Sequence, residues 1–112
     1  MADAPVQKTF RYAEAAALLP EARRLTGEAY ERVEALRARA ERGEAAAALE
    51  AEADQVVRAW TLAMQERGIE VKGLWLIDFD NGSGYYCWRW PETALEYYHG
   101  YEEGFAGRMR IQ

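Results

Sequence analysis

The chain of 112 residues has one cysteine, Cys87, and one histidine, His99. A single cysteine excludes an intramolecular disulfide, and its apolar surroundings favour a buried, inert thiol. A reactive thiol needs an activating neighbour, and nothing in the order of residues places His99 beside Cys87. The sequence therefore does not predict a cysteine–histidine catalytic pair.

Long hydrophobic runs are also lacking. The longest apolar run in the C-terminal part is Leu74–Ile77, whereas a transmembrane helix needs about 20 residues. The first 12 residues, MADAPVQKTFRY, do not contain the apolar stretch of a signal peptide. We therefore expect no membrane segment and a cytoplasmic location.

Charge of one sign does not accumulate anywhere along the chain. There are 14 Lys and Arg against 19 Asp and Glu, and the two signs are mixed throughout. A nucleic-acid-binding domain needs a basic patch, so this class of protein is not expected. The glycine-rich segment 81–84 lacks the Gly-Lys-Ser/Thr of a phosphate loop and is interpreted as a turn.

The N-terminal two thirds has the pattern of a helical hairpin over residues 12–68. Apolar residues recur three or four positions apart in a near-heptad seam, which predicts two antiparallel helices separated at Gly43 and ending near Gly68. Pro20 predicts a break, with a short helix to about Leu18 and a long helix from Pro20. The seam consists of Ala22, Leu25, Ala29, Val33, Leu36, Ala40, Leu49, Ala53, Val56, Trp60 and Ala63.

The period changes after Gly68, and residues 69–112 have strand-like content. Ile69–Asp80 and Tyr85–Trp90 predict a β-hairpin around the 81–84 turn. Glu92–His99, between Pro91 and Gly100, predicts a short helix. Val6–Tyr12 is a candidate third, edge strand, and the tail after Gly100 is interpreted as an ordered loop, with a terminal strand as an alternative. The predicted fold is therefore α+β in one domain, residues 1–112.

The C-terminal third resembles a known bacterial family. The resemblance rests on Ile77-Asp78-Phe79, Tyr86-Cys87-Trp88-Arg89, Glu92, Tyr98-His99 and Gly104-Phe105-Ala106-Gly107-Arg108, with Ala16, Leu18, Leu19 and Pro20 near the start. In these residues the chain resembles the domain-of-unknown-function family 2203, whose proteins are uncharacterised. The resemblance implies a fold and no activity.

Two groups of polar residues in the aromatic third are candidate sites. On a helix, Glu96 and His99 share one face with Glu103, and Glu-x-x-His is a spacing found in di-metal bundles, so a divalent metal is a possible ligand there. Otherwise we predict no cofactor. The candidate ligand-binding residues, in which arginine would recognise a carboxylate or phosphate, are Asp78, Trp88, Arg89, Glu92, His99, Glu102 and Arg108.

Two functions remain open from the sequence. The favoured one is a non-enzymatic interaction or scaffold protein that forms a homodimer through its hairpin, since a second copy would bury more of the seam, and that could also bind protein partners. The alternative is a small-molecule- or metal-binding protein, possibly an enzyme. That alternative expects Arg89, Glu92, His99, Glu102 and Arg108 to converge on one concave site.

Overall fold

The computed structural model describes residues 8–112, which form two helices followed by a five-stranded antiparallel sheet. Helix α1 spans Tyr12–Glu41 and helix α2 spans Ala46–Glu66. The chain reverses between them at Gly43, whose φ of 93° favours glycine. The predicted α+β class and the helical hairpin are confirmed. No helix in the described part of the chain is long and apolar enough to cross a membrane.

The break predicted at Pro20 is wrong, because α1 runs through it. The buried residues Ala15 and Leu19 before the proline are in phase with Ala22 and Ala29 after it. A proline inside a helix removes one hydrogen bond and costs roughly 3 kcal/mol. Packing of one continuous seam on both sides of Pro20 offsets that cost.

The sheet is a meander in which each strand pairs with the next one along the chain. Its strands are β1 Glu70–Gly73, β2 Leu76–Asp80, β3 Gly84–Arg89, β4 Tyr97–Gly100 and β5 Met109–Arg110. The segment expected to be one strand, 69–80, is itself a hairpin that turns at Leu74 and Trp75. Trp75 adopts a φ of 63° there and buries its ring against Trp60 of α2 at 5.0 Å between centroids.

The helix predicted over Glu92–His99 is wrong. Tyr97–Gly100 is strand β4, which pairs with β3 on one edge and β5 on the other. Tyrosine pairs favour a pleated surface, and the ladder to β3 satisfies backbone groups that a helix of one or two turns would leave partly unpaired. The terminal strand β5 agrees with the alternative given for the tail.

The edge strand predicted over Val6–Tyr12 is not formed by its described part. Val6 and Gln7 lie outside the described residues, residues 8–11 contain no strand, and Tyr12 begins α1. The Phe10 N–H does donate a hydrogen bond to the Asp80 carbonyl at 2.7 Å. This segment therefore touches the end of β2 without extending the sheet.

The two faces of the sheet have different partners. Ile77, Phe79 and Trp88 point toward the helices and belong to the main hydrophobic core. Strand alternation turns the residues between them to the other side, which we call the distal face. The segment 101–108, including the 3₁₀ turn Phe105–Gly107, lies over the distal face.

Candidate functional site

Three neighbouring strands bring three polar side chains together on the distal face. In the register, Asp78 of β2 lies opposite Cys87 of β3, and Tyr85 of β3 lies opposite His99 of β4. Side chains opposite each other, or two positions apart on one strand, share a face. Asp78, Cys87 and His99 are therefore neighbours, and all three are buried. We call them the Asp–Cys–His cluster.

The imidazole of His99 is held at both nitrogens. Nδ1 lies 2.8 Å from the Gly100 carbonyl oxygen, which can only accept, so Nδ1 carries a proton and donates it. Nε2 lies 2.9 Å from Asp78 Oδ2. With a neutral imidazole and an ionised carboxylate, two lone pairs would face each other at this distance. A proton carried by one of the two groups therefore joins them in a hydrogen bond, and a metal ion could take the place of that proton.

The second oxygen of Asp78 is buried without a partner. Asp78 is 1% exposed, and its Oδ1 has no hydrogen-bond partner among the described residues. Burial raises the pKa of the Asp78 carboxyl group above its ordinary value, while the neighbouring His99 works in the opposite direction. A buried acceptor without a partner costs roughly 1–3 kcal/mol. The Cys87 thiol, which acts on the Asp78 carboxyl group as a hydrogen-bond donor, is the neighbouring group that reduces this cost.

Cys87 is a thiol at neutral pH. Burial, and after it the charge of Asp78, raises the pKa of Cys87 to about 12. Its sulfur, the His99 nitrogen and an Asp78 oxygen all lie within 4.8 Å of one another. Sulfur, imidazole nitrogen and carboxylate oxygen together are the donors that zinc prefers. The arrangement can thus hold one metal ion, which would displace the thiol proton.

A cavity of about 250 Å³ lies beside the cluster on the distal face. Asp78 and His99 contribute to its lining, whereas Cys87 does not. The other lining residues come from β1, β2 and β3 and from the segment after β4: Lys72, Leu76, Tyr85, Tyr101, Glu103, Gly104 and Phe105. We call this space the distal cavity. It gives small molecules a way to approach two of the three clustered side chains.

A second polar group lies on the same face, next to Cys87. Arg108 forms an ion pair with Glu92 through both guanidinium nitrogens, one of them at 3.0 Å. Its guanidinium lies 4.0 Å from the ring centre of Tyr97 and 4.1 Å from that of Phe105. Burial works against the charge of Arg108, but the hydrogen bonds and the charge of Glu92, together with smaller contributions from Cys87, outweigh it and raise the pKa of the guanidinium. This pair fastens segment 101–108 over β4.

The structure brings together only part of the ligand-binding set expected from the sequence. Asp78 and His99 meet in the cluster, and Glu92 pairs with Arg108, whereas Trp88 is buried on the helix side of the sheet. Glu102 is exposed, with no side-chain hydrogen bond in the described part of the chain.

Arg89 is exposed above Phe105, and its backbone N–H bonds to Glu92. The expected residues that do come together thus form hydrogen bonds and ion pairs with their close neighbours, apart from Oδ1 of Asp78. The structure does not gather into one concave site the five residues Arg89, Glu92, His99, Glu102 and Arg108.

The metal set expected from the sequence does not assemble either. It required a continuous helix, and residues 97–100 are a strand. Glu96 pairs with Arg110, and Glu103 accepts a hydrogen bond from the Gly100 N–H at 3.0 Å. His99 is shared between that set and the cluster that the structure contains.

Cys87 is the site residue that sequence reasoning missed. In a strand over Tyr97–Gly100, alternation places Tyr97 and His99 on one face. In the preceding strand it places Tyr85 and Cys87 on one face in the same way. The pairing register that aligns the two faces depends on the loop from 90 to 96, which carries no turn signature of fixed length. Local pattern alone does not supply that register.

These features define the class of protein: an α+β chain with a helical hairpin on one face of a meander sheet and a buried polar cluster on the other. The chain matches, over residues 8–111, the family described as "uncharacterized conserved protein (DUF2203)". It belongs to this family, in agreement with the resemblance noted in the sequence. No curated protein and no solved structure is significantly similar to it.

Proposed function

We propose that this protein binds one divalent transition-metal ion of the zinc class through Asp78, Cys87 and His99. The observation that carries the proposal is the buried cluster itself: Asp78, Cys87 and His99 bring an oxygen, a sulfur and a nitrogen within 4.8 Å of one another. A metal ion would replace the proton that lies between Asp78 Oδ2 and His99 Nε2 at 2.9 Å. It also gives the unpartnered Oδ1 of Asp78 a ligand.

The distances need only a small adjustment to accept the ion. Zinc bonds of about 2.0–2.1 Å to nitrogen and oxygen, at tetrahedral angles, separate the two donor atoms by about 3.3 Å. The observed separation is 2.9 Å, and the sulfur is within 4.8 Å of both donors. Binding therefore requires the Asp78 oxygen and the His99 nitrogen to move apart by about 0.4 Å, and the sulfur to lie at bonding distance from the same ion.

The surroundings suit a metal ligand. Metal-binding histidines almost always donate their other ring N–H to a carbonyl or carboxylate, and Gly100 supplies that acceptor for His99. Two anionic ligands, the carboxylate and the thiolate, neutralise a divalent ion, so no net charge is left in a buried position. Soft sulfur favours zinc or copper over magnesium and calcium.

The metal content of protein purified without an affinity tag is the direct test. We expect zinc, or another late first-row metal, at one equivalent per chain by mass spectrometry. The metal-free protein, prepared with a chelator, should bind Co²⁺ one to one. The product should show the near-ultraviolet band of a thiolate–cobalt bond and the intense visible bands of tetrahedral Co²⁺. This measurement uses the unaltered chain, so it does not depend on how well a variant folds.

Variants separate the two possible ligand sets. Cys87→Ser should abolish the thiolate band, and Asp78→Asn should weaken Co²⁺ binding at least tenfold. Glu96→Gln, which changes an acid of the set expected from the sequence that pairs with Arg110 away from the cluster, is the matched control and should leave the affinity unchanged. Wild-type protein that neither contains metal nor binds Zn²⁺ or Co²⁺ at one equivalent would refute the proposal. The Asp78–His99 contact would then hold a proton.

The scaffold function favoured by the sequence remains a prediction. The contacts within a single chain do not test the scaffold function. It is tested by measuring the oligomeric state, and that measurement is independent of the metal site.

A further inference from the structure

We propose that segment 101–108 is a lid over the Asp–Cys–His cluster, and that the ion pair between Arg108 and Glu92 is the latch that keeps the lid closed. The inference rests on the proposed function for its cargo, because the lid controls how the metal ion enters and leaves. It goes further by assigning a moving part, and the residue pair that holds it, to a site whose donor atoms are buried.

The first argument is the burial of the three donor side chains. Those of Asp78 and His99 are only 2% and 4% exposed, and Cys87 is buried as well. They lie on the distal face, on the side of the sheet away from the helices, where an antiparallel sheet commonly faces water. Part of the chain on that face therefore has to move before an ion, or a thiol reagent, can reach the sulfur from solvent.

Segment 101–108 is the part of the chain that crosses this face. It joins the neighbouring strands β4 and β5, and it is longer than the about two to five residues of an ordinary hairpin loop. At its end, the Arg108 guanidinium lies 4.0 Å from the ring centre of Tyr97, the residue directly opposite Cys87 in the register. Arg108 therefore lies beside the sulfur, and its charge acts on the thiol.

The second argument is that this segment has no anchor in the core. None of residues 101–108 is buried. Its backbone hydrogen bonds are local, since the N–H groups of residues 103, 107 and 108 donate to carbonyls of residues 100, 104 and 105. In the part of the chain that the structure describes, no backbone hydrogen bond joins it to another strand. Segments with few buried apolar contacts open at a lower free energy than the core does.

The side chain of Arg108 makes the strongest attachment of the segment. The Tyr101 hydroxyl donates to Asp80 at 2.7 Å, but that contact is exposed. The Arg108–Glu92 pair is mostly buried, and the guanidinium lies between two aromatic rings. Charged hydrogen bonds are about twice as strong as neutral ones. Because Glu92 precedes β4 and lies outside the segment, this pair fastens the lid to the rest of the fold.

The reactivity of Cys87 in metal-free protein tests the lid directly, because the chain has one cysteine. We expect the thiol reagent DTNB to modify native wild-type protein at a rate that hardly changes at low urea concentrations, since opening a short segment exposes little surface. Glu92→Gln should raise this rate roughly tenfold, the effect of losing a charged hydrogen bond.

Two controls separate opening of the lid from global unfolding. Glu96→Gln, whose carboxylate pairs with the exposed Arg110, should leave the rate unchanged. Thr26→Val alters a buried hydrogen bond to Trp60 in the helical hairpin, so it lowers stability without touching the segment, and it should not raise the rate at low urea. Modification that follows global unfolding in every variant, with its full urea dependence, would overturn the lid.

Kinetics of Co²⁺ binding distinguish the inference from the proposed function. Glu92→Gln should speed binding, and release to a chelator, by the same factor of roughly ten, and so leave the affinity unchanged, because a lid acts on the barrier in both directions. Unchanged rates in this variant would overturn the lid as the gate for the ion. Faster thiol modification in protein that binds no Co²⁺ would refute the proposed function while supporting the lid.

Discussion

Thr26 is a polar residue at the centre of the helical seam, fully buried between α1 and α2. Its hydroxyl donates to the Ala22 carbonyl at 2.7 Å and accepts the indole N–H of Trp60 at 2.8 Å. We predict that Thr26→Val, which keeps the shape but removes the hydroxyl, leaves the Trp60 donor unpaired. The free energy of unfolding should fall by about 1–3 kcal/mol, measured by urea denaturation.

Thr26→Ser is the matched control, since serine keeps the hydroxyl and loses one methyl group. It should be less destabilising than the valine variant. The reverse order would mean that packing of the methyl group, and not the hydrogen bond to Trp60, is what Thr26 contributes.

The ion pair between Glu92 and Arg108 is a second stabilising contact. The two side chains are only 23% and 13% exposed, and the guanidinium lies between two aromatic rings. Glu92→Gln removes the negative partner from a mostly buried arginine. We expect a loss of about 1–3 kcal/mol in the free energy of unfolding, with faster hydrogen exchange in segment 101–108.

Glu96→Gln provides the comparison, because Glu96 pairs with an exposed partner, Arg110. An exposed ion pair contributes little, so this variant should change stability by less than about 0.5 kcal/mol. Similar losses in the two glutamine variants would argue against a special contribution from the Glu92 pair.

The sequence shows which polar residues are candidates for a site, but it does not show which residues they contact. Asp78, His99, Glu92 and Arg108 are recognisable because polar residues are unusual in an aromatic-rich segment. Their pairing is not recognisable from the sequence, since the two partners of each pair lie on different strands or loops. Cys87 was taken for an inert thiol because its neighbours in sequence are apolar, whereas its neighbours in space are Asp78 and His99.

Among the elements, helix α1 makes a close contact at Gly27 with Trp90, the residue that follows β3. A Cβ atom at this position would lie 2.7 Å from the Trp90 ring, which also packs near Tyr30. We predict that Gly27→Ala destabilises the protein by about 1 kcal/mol: overpacking costs about 1–3 kcal/mol, and the better helix propensity of alanine returns about 1 kcal/mol. Thermal unfolding followed by circular dichroism is the measurement.

A double-variant cycle checks the cause. With Trp90→Leu as the background the ring is gone, so Gly27→Ala should stabilise that variant by roughly 0.5–1 kcal/mol. A destabilising effect of the same size in both backgrounds would show that contact with Trp90 is not the reason for glycine.

The elements were predictable where their signal is local. Gly43 separates the helices, and heptad-like spacing identifies both of them. The expected helix at 92–99 failed because β3 offers an unpaired edge, a fact about the sheet that a short local window does not contain. The expected break at Pro20 failed for a similar reason: packing along the whole of α1 outweighs one lost hydrogen bond.

At the scale of the whole molecule, the oligomeric state is open to measurement. The sequence predicts a homodimer through the helical hairpin. In the structure, seam residues such as Val33, Leu36 and Val56 are already buried within one chain, whereas Leu62 on α2 is 53% exposed. We therefore expect any dimer to use the outer surface of α2 rather than the seam.

Sedimentation velocity at micromolar concentration should show a dimer that Leu62→Glu dissociates. Ala59→Glu is the control for the effect of charge alone, because Ala59 is also exposed on α2 but has no large apolar side chain. A monomer in the wild-type protein would contradict the prediction.

The α+β class, the helical hairpin with its turn at Gly43 and the family could be predicted from the residues alone, because helix periodicity, turn glycines and motif residues are local properties of the chain. Three features became visible only in the folded molecule: β4 is a strand, helix α1 continues through Pro20, and Cys87 meets Asp78 and His99. These features depend on pairing and packing between residues distant in sequence, where the free energy of contact exceeds the preference of any short segment.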